Sequence, residues 1–242
     1  MYKNNISGFT LIELSMVLLI VGLLLAGILT PLATSLEQRK RDEMGTQYDD
    51  IEETLIGFAI VNGRLPCPDC PDDSTGTCAT GDENDGIEDQ SGAGGCDVGA
   101  TTTIEGNLPW ATLGIDGTDP WGNTLQYHVE TAYADTLAEV ACTPANGTAS
   151  FSVCTTASIT VQDLGGTCTG APNSVATNVP VVIYSQGNQT ATSCNELENT
   201  DGNSTFVDTG YNEITATYYD DMITWISPFL LDSRMIKAEV LP

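Results

Sequence analysis

The sequence predicts an α+β protein in which one long N-terminal α-helix packs on an antiparallel β-sheet with disulfide-rich loops. Residues 9–34 form an almost uncharged apolar run, and residues 44–58 continue with helical spacing of apolar side chains. Most of the remaining chain consists of short β-branched or aromatic segments separated by Gly, Pro or Asn. One helix followed by successive strands is the element order of an α+β domain.

The apolar run contains a single charged residue, Glu13. A helix of about 20 apolar residues crosses the hydrocarbon core of a bilayer, so residues 9–34 are predicted to be a transmembrane helix. A carboxylate inside lipid is costly and indicates a functional partner. If the chain were cut between Gly8 and Phe9, the new N-terminal amine would lie about one helical turn from Glu13.

The same helix is predicted to continue to about residue 62. Apolar residues recur at alternating spacings of four and three, as in a helix that packs on a sheet. They are Met44, Tyr48, Ile51, Leu55 and Phe58. Asn62-Gly63 is a helix stop. Gly22 and Pro31 are expected to break the apolar half, because proline removes a backbone hydrogen bond.

The rest of the chain is predicted to be a globular head, residues 35–242, behind a leader at residues 1–8. After the helix, residues 63–120 are predicted to form a long irregular loop, followed by strands and a C-terminal segment at residues 121–242. The predicted strands are Leu125–Glu130, Ser150–Thr155, Ser158–Gln162, Pro180–Tyr184, Glu213–Tyr218 and Met222–Ile226. Pro228 is expected to start a short helix that ends near Ile236.

The chain is strongly acidic, with a formal net charge of −26. Such a charge repels nucleic acid and anionic lipid headgroups, so no nucleic-acid partner is expected. His128 is the one histidine, and we interpret it as a sheet residue whose polar atoms are satisfied. Because no nucleophile–base or paired-acid constellation stands out, the sequence does not predict an enzyme.

All eight cysteines follow residue 66, which indicates disulfides formed in an oxidising compartment. The candidates are Cys67, Cys70, Cys78, Cys96, Cys142, Cys154, Cys168 and Cys194. Proximity favours Cys142 with Cys154 and Cys168 with Cys194, although other pairings stay open. A zinc site at Cys67 and Cys70 is the competing hypothesis, but it lacks a second close ligand pair.

The segment Gly8-Phe9-Thr10-Leu11-Ile12-Glu13-Leu14 closely resembles the class III signal of type IV pilins and type II secretion pseudopilins. The resemblance implies cleavage after Gly8 by a prepilin peptidase and N-methylation of Phe9. It implies that Glu13 neutralises the N-terminal amine of a neighbouring subunit in a helical filament.

The same resemblance implies a pilin-like fold and a set of partners. These partners are copies of the chain, other pilins, the prepilin peptidase and an inner-membrane assembly platform. The expected location is the inner membrane with the head in the periplasm before assembly. Afterwards it is an extracellular pilus or a periplasmic pseudopilus.

Two downstream segments are similar to those of major pseudopilins. They are Asp119-Pro120-Trp121-Gly122-Asn123 and Val182-Ile183-Tyr184-Ser185-Gln186-Gly187. This similarity implies a calcium loop in which Asp221 could match a later ligand. Asn188-Gln189 stands in place of the family's Asp-Gly, and Thr190–Tyr219 is an insertion.

A second calcium candidate is the acidic segment around Gly86. With the sharp turn at this glycine, Glu83, Asp85 and Asp89 fall at ligand-like positions, because calcium prefers several hard oxygen ligands around a turn. The alternative is a solvated acidic turn. Calcium is therefore a possible cofactor at either locus, and no other cofactor is expected.

The sequence favours a non-enzymatic subunit of a type IV pilus or pilus-like filament. The first alternative is a pseudopilin of a type II secretion system, and the second is a membrane-anchored adhesin or binding module. A filament subunit predicts that Glu13→Ala abolishes assembly while the membrane-bound precursor persists. A stand-alone adhesin predicts unchanged surface display.

Overall fold

The computed structural model describes residues 9–71, 84–91, 94–96, 103–135, 149–166, 168–189, 193–214 and 217–242; for residues 25–33 and 103 it describes the backbone only. The chain divides into two compact units, one ending at Glu43 and one running from Met44 to Pro242. The fold is α+β and consistent with a pilin-like architecture, as predicted.

Helix α1 spans Leu11–Asn62 and accounts for the regular structure of the first unit. It runs without interruption through Gly22 and Pro31, so the structure of the single chain does not contain the expected break. Every side chain from Phe9 to Leu24 is exposed. In the described part of the chain, no helix combines the length and apolarity that a membrane crossing requires.

In the second unit, the last part of α1 packs on a four-stranded sheet. Met44, Tyr48, Ile51 and Leu55 are buried at the predicted spacing, whereas Phe58 is half-buried and Ala59 takes its place in the core. The shift follows from the helical repeat of 3.6 residues, which rotates a stripe gradually around the helix.

The four-stranded sheet is antiparallel throughout and has the order β1-β2-β5-β7. Its strands are β1 (Thr103–Asn107), β2 (Gln126–Glu130), β5 (Val181–Ser185) and β7 (Met222–Ile226). Short helices α2 (Trp110–Leu113) and α3 (Thr131–Ala134) flank β2 in the chain, and α5 (Pro228–Lys237) follows β7. Tyr127, Val129, Val181 and Ile183 join the core on the α1 side.

A second sheet, of three strands, covers the face of the four-stranded sheet that points away from α1. The sequence did not predict this second sheet. Its strands are β3 (Ile159–Gln162), β4 (Ser174–Val179) and β6 (Thr205–Val207), in the order β4-β3-β6 with β6 parallel to β3. Val182 and Tyr184 of β5 pack here against Ile159, Val161 and Phe206. All five residues of β5 are therefore buried.

The strand predictions are partly confirmed. Four predicted strands correspond to β2, β3, β5 and β7, and the C-terminal helix is α5. The strand predicted at residues 150–155 is wrong, because the chain there bends around the core residue Phe151. Residues 213–218 form no strand in the part that the structure describes.

The predicted loop at residues 63–120 in fact contains β1 and α2. Gly106 lies inside β1, although a glycine in the interior of a segment argues against predicting a strand there. A Cβ at Gly106 would lie 2.6 Å from the backbone oxygen of Asp69 and 2.7 Å from Cβ of Pro68. The glycine allows this close backbone approach, in which Asp69 and Asn107 exchange backbone hydrogen bonds of 3.0 and 2.8 Å.

Two disulfides lie within the described residues. Cys168 is bonded to Cys194, as expected, and Cys67 is bonded to Cys96. The zinc hypothesis is wrong, because Cys67 and Cys70 are both disulfide-bonded. Cys154 is disulfide-bonded as well. Cys78 and Cys142 lie outside the described residues, so the Cys142–Cys154 pairing stays a prediction.

Candidate functional site

The start of α1 holds Glu13 in a capping box with Thr10. The Glu13 carboxylate accepts hydrogen bonds from the Thr10 backbone N–H at 2.9 Å and from the Thr10 hydroxyl at 2.8 Å. The Thr10 hydroxyl in turn accepts from the Glu13 backbone N–H at 3.4 Å. Such a box satisfies orphan donors at a helix start. The Thr-x-x-Glu spacing is the signal in the sequence that could have predicted this cap.

An apolar surface surrounds the Glu13 carboxylate along the first unit. Phe9 and Leu11 are 86% and 88% exposed, and the large apolar side chains from Ile12 to Leu24 are exposed too. A contiguous apolar surface of this kind marks a contact with lipid or protein. Gly8 lies outside the described residues, so the scissile bond has no structural description.

In the head, the two segments that are similar to pseudopilins contact each other directly. The Asp119 carboxylate accepts from the Ser185 hydroxyl at 2.5 Å and from the Asn123 backbone N–H at 2.7 Å. Tyr48 of α1 accepts from the Ser185 backbone N–H at 3.0 Å and donates to the Met222 carbonyl. This polar node joins the helix to β5 and β7.

Three buried carboxylates meet beside this node. One oxygen each from Glu196, Asp220 and Asp221 lies within 4.8 Å of the others. Asp220 and Asp221 immediately precede β7, and Glu196 lies in α4 (Cys194–Asn199). We refer to these three residues as the acidic triad.

Each member of the acidic triad is positioned by its own hydrogen bonds. Glu196 forms a capping box with Ser193 at the start of α4. Asp220 accepts from the backbone N–H groups of Asn188 and Gln189 at 2.9 and 3.2 Å. Asp221 accepts from the Asn199 side-chain amide at 2.8 Å. The triad therefore joins the loop after β5, the insertion and the start of β7.

The electrostatics of the acidic triad favour either protonation or a bound cation. Burial and the neighbouring carboxylates raise the pKa of Asp221 to about 7. The sequence contains no Lys, Arg or His between His128 and Arg234 that could neutralise these charges. Hard carboxylate oxygens are ligands that calcium prefers, so the triad could hold a metal ion.

Sequence reasoning identified Asp221 and missed Glu196 and Asp220. Glu196 lies in the segment that we interpreted as an insertion, and only the fold brings it to the loop before β7. The Ser193-x-x-Glu196 pattern was a local signal for the helix that places it.

The other calcium prediction has less support from the structure. Asp85 accepts from the Ile87 backbone N–H at 2.8 Å, and Asp89 accepts from the Cys70 backbone N–H at 2.8 Å. Glu83 lies outside the described residues. Among the described residues the acidic triad is the one group of three or more such ligands with metal-ligand geometry, and the site at Glu83, Asp85 and Asp89 stays a prediction.

A buried aspartate near this turn was also missed. Asp69 is fully buried, and neither of its carboxylate oxygens has a hydrogen bond of good geometry within the described chain. Burial and the neighbouring carboxylates of Asp89 and Asp85 raise its pKa to about 6, although the backbone amides of Gly86 and Asp85 oppose this shift.

Comparison with known proteins identifies the class of the N-terminal segment. The family model for the prokaryotic N-terminal methylation motif matches residues 3–29. No curated protein and no solved structure gives a significant match to the chain. The chain therefore carries a class III signal, the segment shared by type IV pilins and pseudopilins, which are structural subunits of filaments.

Proposed function

We propose that this chain is a prepilin, the structural subunit of a type IV pilus or pilus-like filament. Its leader would be removed after Gly8, Phe9 would be N-methylated, and the mature chain would assemble through α1. The observation that carries this proposal is an exposed apolar helix that begins at a methylation motif and contains one carboxylate, that of Glu13.

In this proposal the apolar half of α1 is first surrounded by lipid and, after assembly, by protein. Residues 9–34 anchor the precursor in the inner membrane with the head in the periplasm. During assembly the same side chains pack against α1 of other copies. Glu13 then sets the register, because a misaligned subunit would leave a charge buried without its amine partner.

The capping box gives Glu13 a second task in the same subunit. In the precursor its carboxylate stabilises the first turn of α1 through Thr10. After cleavage, the free amine of Phe9 would lie one residue from that cap. Charge and capping can be separated by substitution, because glutamine keeps a side-chain oxygen acceptor but carries no charge.

We expect Glu13→Gln and Glu13→Ala to lower the yield of sheared filaments by at least about tenfold, since both remove the charge. The membrane-bound precursor should persist at normal levels. Thr10→Ser, which keeps the hydroxyl cap, is the matched control and should assemble normally. Mass spectrometry of the wild-type filament band should give a first peptide that starts at methylated Phe9.

Normal assembly of Glu13→Gln would contradict the charge-pairing role and favour capping alone. Native protein that retains residues 1–8, or filaments that lack the chain altogether, would contradict the proposal itself.

A pseudopilin of a type II secretion system is the second candidate. The polar node between Asp119 and Ser185 favours it, because it joins the two segments that are similar to major pseudopilins. Loss of protein secretion without loss of surface filaments, in a strain that lacks the chain, would support this candidate. The third candidate is a membrane-anchored adhesin or binding module. It is the one candidate for which Glu13→Ala should leave surface display unchanged.

We also propose that the acidic triad binds a divalent cation, with calcium as the best fit to its donors. The support is the burial of Glu196, Asp220 and Asp221 around one point in a region of the sequence without basic residues. A cation there would stabilise the contact between the insertion and the four-stranded sheet.

A further inference from the structure

A groove on the head runs between α1 and α5. One stripe of α1 lines it at positions 49, 52, 53, 56, 57 and 60, and Arg234 lines it from α5. Its volume is about 410 Å³. We refer to it as the α1–α5 groove.

The walls of the α1–α5 groove carry excess negative charge. Asp49, Glu52 and Glu53 contribute three carboxylates, and none of them forms a hydrogen bond or ion pair of the side chain within the described residues. Arg234 is the one cation of the lining, and it lies outside ion-pair distance of these acids. Partial burial and the nearby Asp49 raise the pKa of Glu52, and Arg234 partly opposes this shift.

The floor of the α1–α5 groove is apolar and open. Ile56 and Ile60 form part of it, and a Cβ added at Gly57 would meet nothing within 4 Å. A groove with carboxylate walls and an aliphatic floor fits long basic side chains, whose methylene stems pack on apolar surface while their charged heads reach acids.

Few cations of the chain could fill such a groove in a second copy. Outside the leader the basic residues are Arg39, Lys40, Arg41, Arg64, Arg234 and Lys237. Arg64 forms a two-pronged ion pair with Glu88, with both distances 2.8 Å, and Arg234 already lines the groove. Lys237 is a single cation at the end of α5, whereas Arg39 and Lys40 occupy adjacent positions of α1.

We propose that the α1–α5 groove of one subunit receives Arg39 and Lys40 of a second copy of the chain. This inference rests on the proposed filament function and names the contact by which neighbouring heads are matched. Arg39 is exposed and Lys40 is half-exposed, whereas the Arg41 side chain is only 15% exposed and lies 3.5 Å from Glu37 on the preceding turn, so Arg39 and Lys40 are the cations that can reach a neighbour. Charge complementarity of this kind sets register and partner choice.

The test is a charge swap in the full-length chain, read as filament yield. Glu52→Lys with Glu53→Lys should lower the yield at least about tenfold, because like charges would then face each other across the contact. Arg39→Glu with Lys40→Glu should do the same. Combining all four substitutions should restore most of the yield.

Asp50→Lys is the matched control, since Asp50 lies on the same helix but does not line the groove. It should change the yield less than about twofold. Glu52→Gln with Glu53→Gln, which adds no bulk, should weaken assembly and reduce its dependence on salt concentration.

The outcomes separate this inference from the proposed function. If wild-type chains do not enter filaments, the proposed function fails. If they do, and the paired Lys or Gln variants assemble as the wild type does, the groove contact is overturned. The groove contact is also overturned if the variant with all four substitutions does not regain filament yield although circular dichroism shows that its head is folded.

Discussion

His128 is the residue whose environment differs most from its interpretation in the sequence. It lies in β2 as expected, but neither ring nitrogen has a hydrogen-bond partner in the described part of the chain. The ring packs edge-on against Phe206, with centroids 4.9 Å apart. Burial lowers the pKa of the imidazole to about 4, and Glu105 on β1 is the acid in register with it.

The low pKa of His128 predicts a loss of stability in acid. The unfolded chain binds a proton at His128 near pH 6.5, whereas the folded chain does so near pH 4. The contribution is therefore present above about pH 6.5 and is lost as the pH falls towards 4. We expect His128→Phe to reduce this acid dependence and to raise the free energy of unfolding at pH 7 by about 1 kcal/mol.

Denaturant unfolding of wild type and His128→Phe at several pH values measures this difference. Since His128 is the one histidine, its NMR signal gives the pKa of the folded state directly. An NMR pKa near 6.5, or equal acid dependence of the two proteins, would contradict the prediction.

At the scale of elements, the turn around Gly86 and the loop after α2 are joined by Trp110. A Cβ at Gly86 would lie 2.2 Å from the indole, and one at Gly117 would lie 2.3 Å from it. The two glycines therefore contact the indole closely, while Trp110 as a whole residue stays 36% exposed. Backbone N–H groups of Ala111 and Thr112 also donate to the Gly86 carbonyl at 2.8 and 3.1 Å.

We expect Gly117→Ala to destabilise the head by about 1–3 kcal/mol, because the added methyl overlaps the indole. Gly117 has no positive φ that would add backbone strain. Gly45→Ala in α1 is the matched control. A Cβ there meets nothing within 4 Å, and alanine should stabilise the helix by about 0.5–1 kcal/mol.

Thermal unfolding of the two variants measures both effects. Adding Trp110→Ala to Gly117→Ala should produce a loss smaller than the sum of the single losses, because the overlap disappears. If the losses of the two single variants simply added, the cost of the methyl at Gly117 would not come from its overlap with the indole.

At the scale of the whole head, the acidic triad joins parts that are distant in the chain. The loop after β5 donates to Asp220, α4 supplies Glu196, and Asp221 leads into β7. The Cys168–Cys194 disulfide ends at the first residue of α4 and constrains the same region. A cation that neutralises the negative charge of the acidic triad should therefore stabilise the whole head.

We expect saturating calcium to raise the thermal midpoint of the head by about 5–10 °C, and a chelator to reverse the gain. Asp221→Asn should remove most of the calcium response, since it removes a ligand charge. Asp85→Asn, from the other predicted calcium segment, should keep it. A response that survives Asp221→Asn and disappears with Asp85→Asn would reverse this assignment.

Local patterns in the sequence determined the N-terminal motif, the span of the long helix and four of the strands. These features are encoded in neighbouring residues: the apolar run around Glu13, the stripe from Met44, and β-branched runs such as Val181–Ser185. The family match at residues 3–29 agrees with the first of them.

Tertiary structure alone decided the second sheet, the pairing of β1 and the acidic triad. Strand β4 is mostly exposed and polar, and β6 has three residues, so neither carries an alternating pattern that could predict it. Gly106 enters a strand because Asp69 approaches its backbone. Glu196 meets Asp220 because of the way α4 and β7 pack. Such contacts join residues far apart in the chain, and no short-range pattern encodes them.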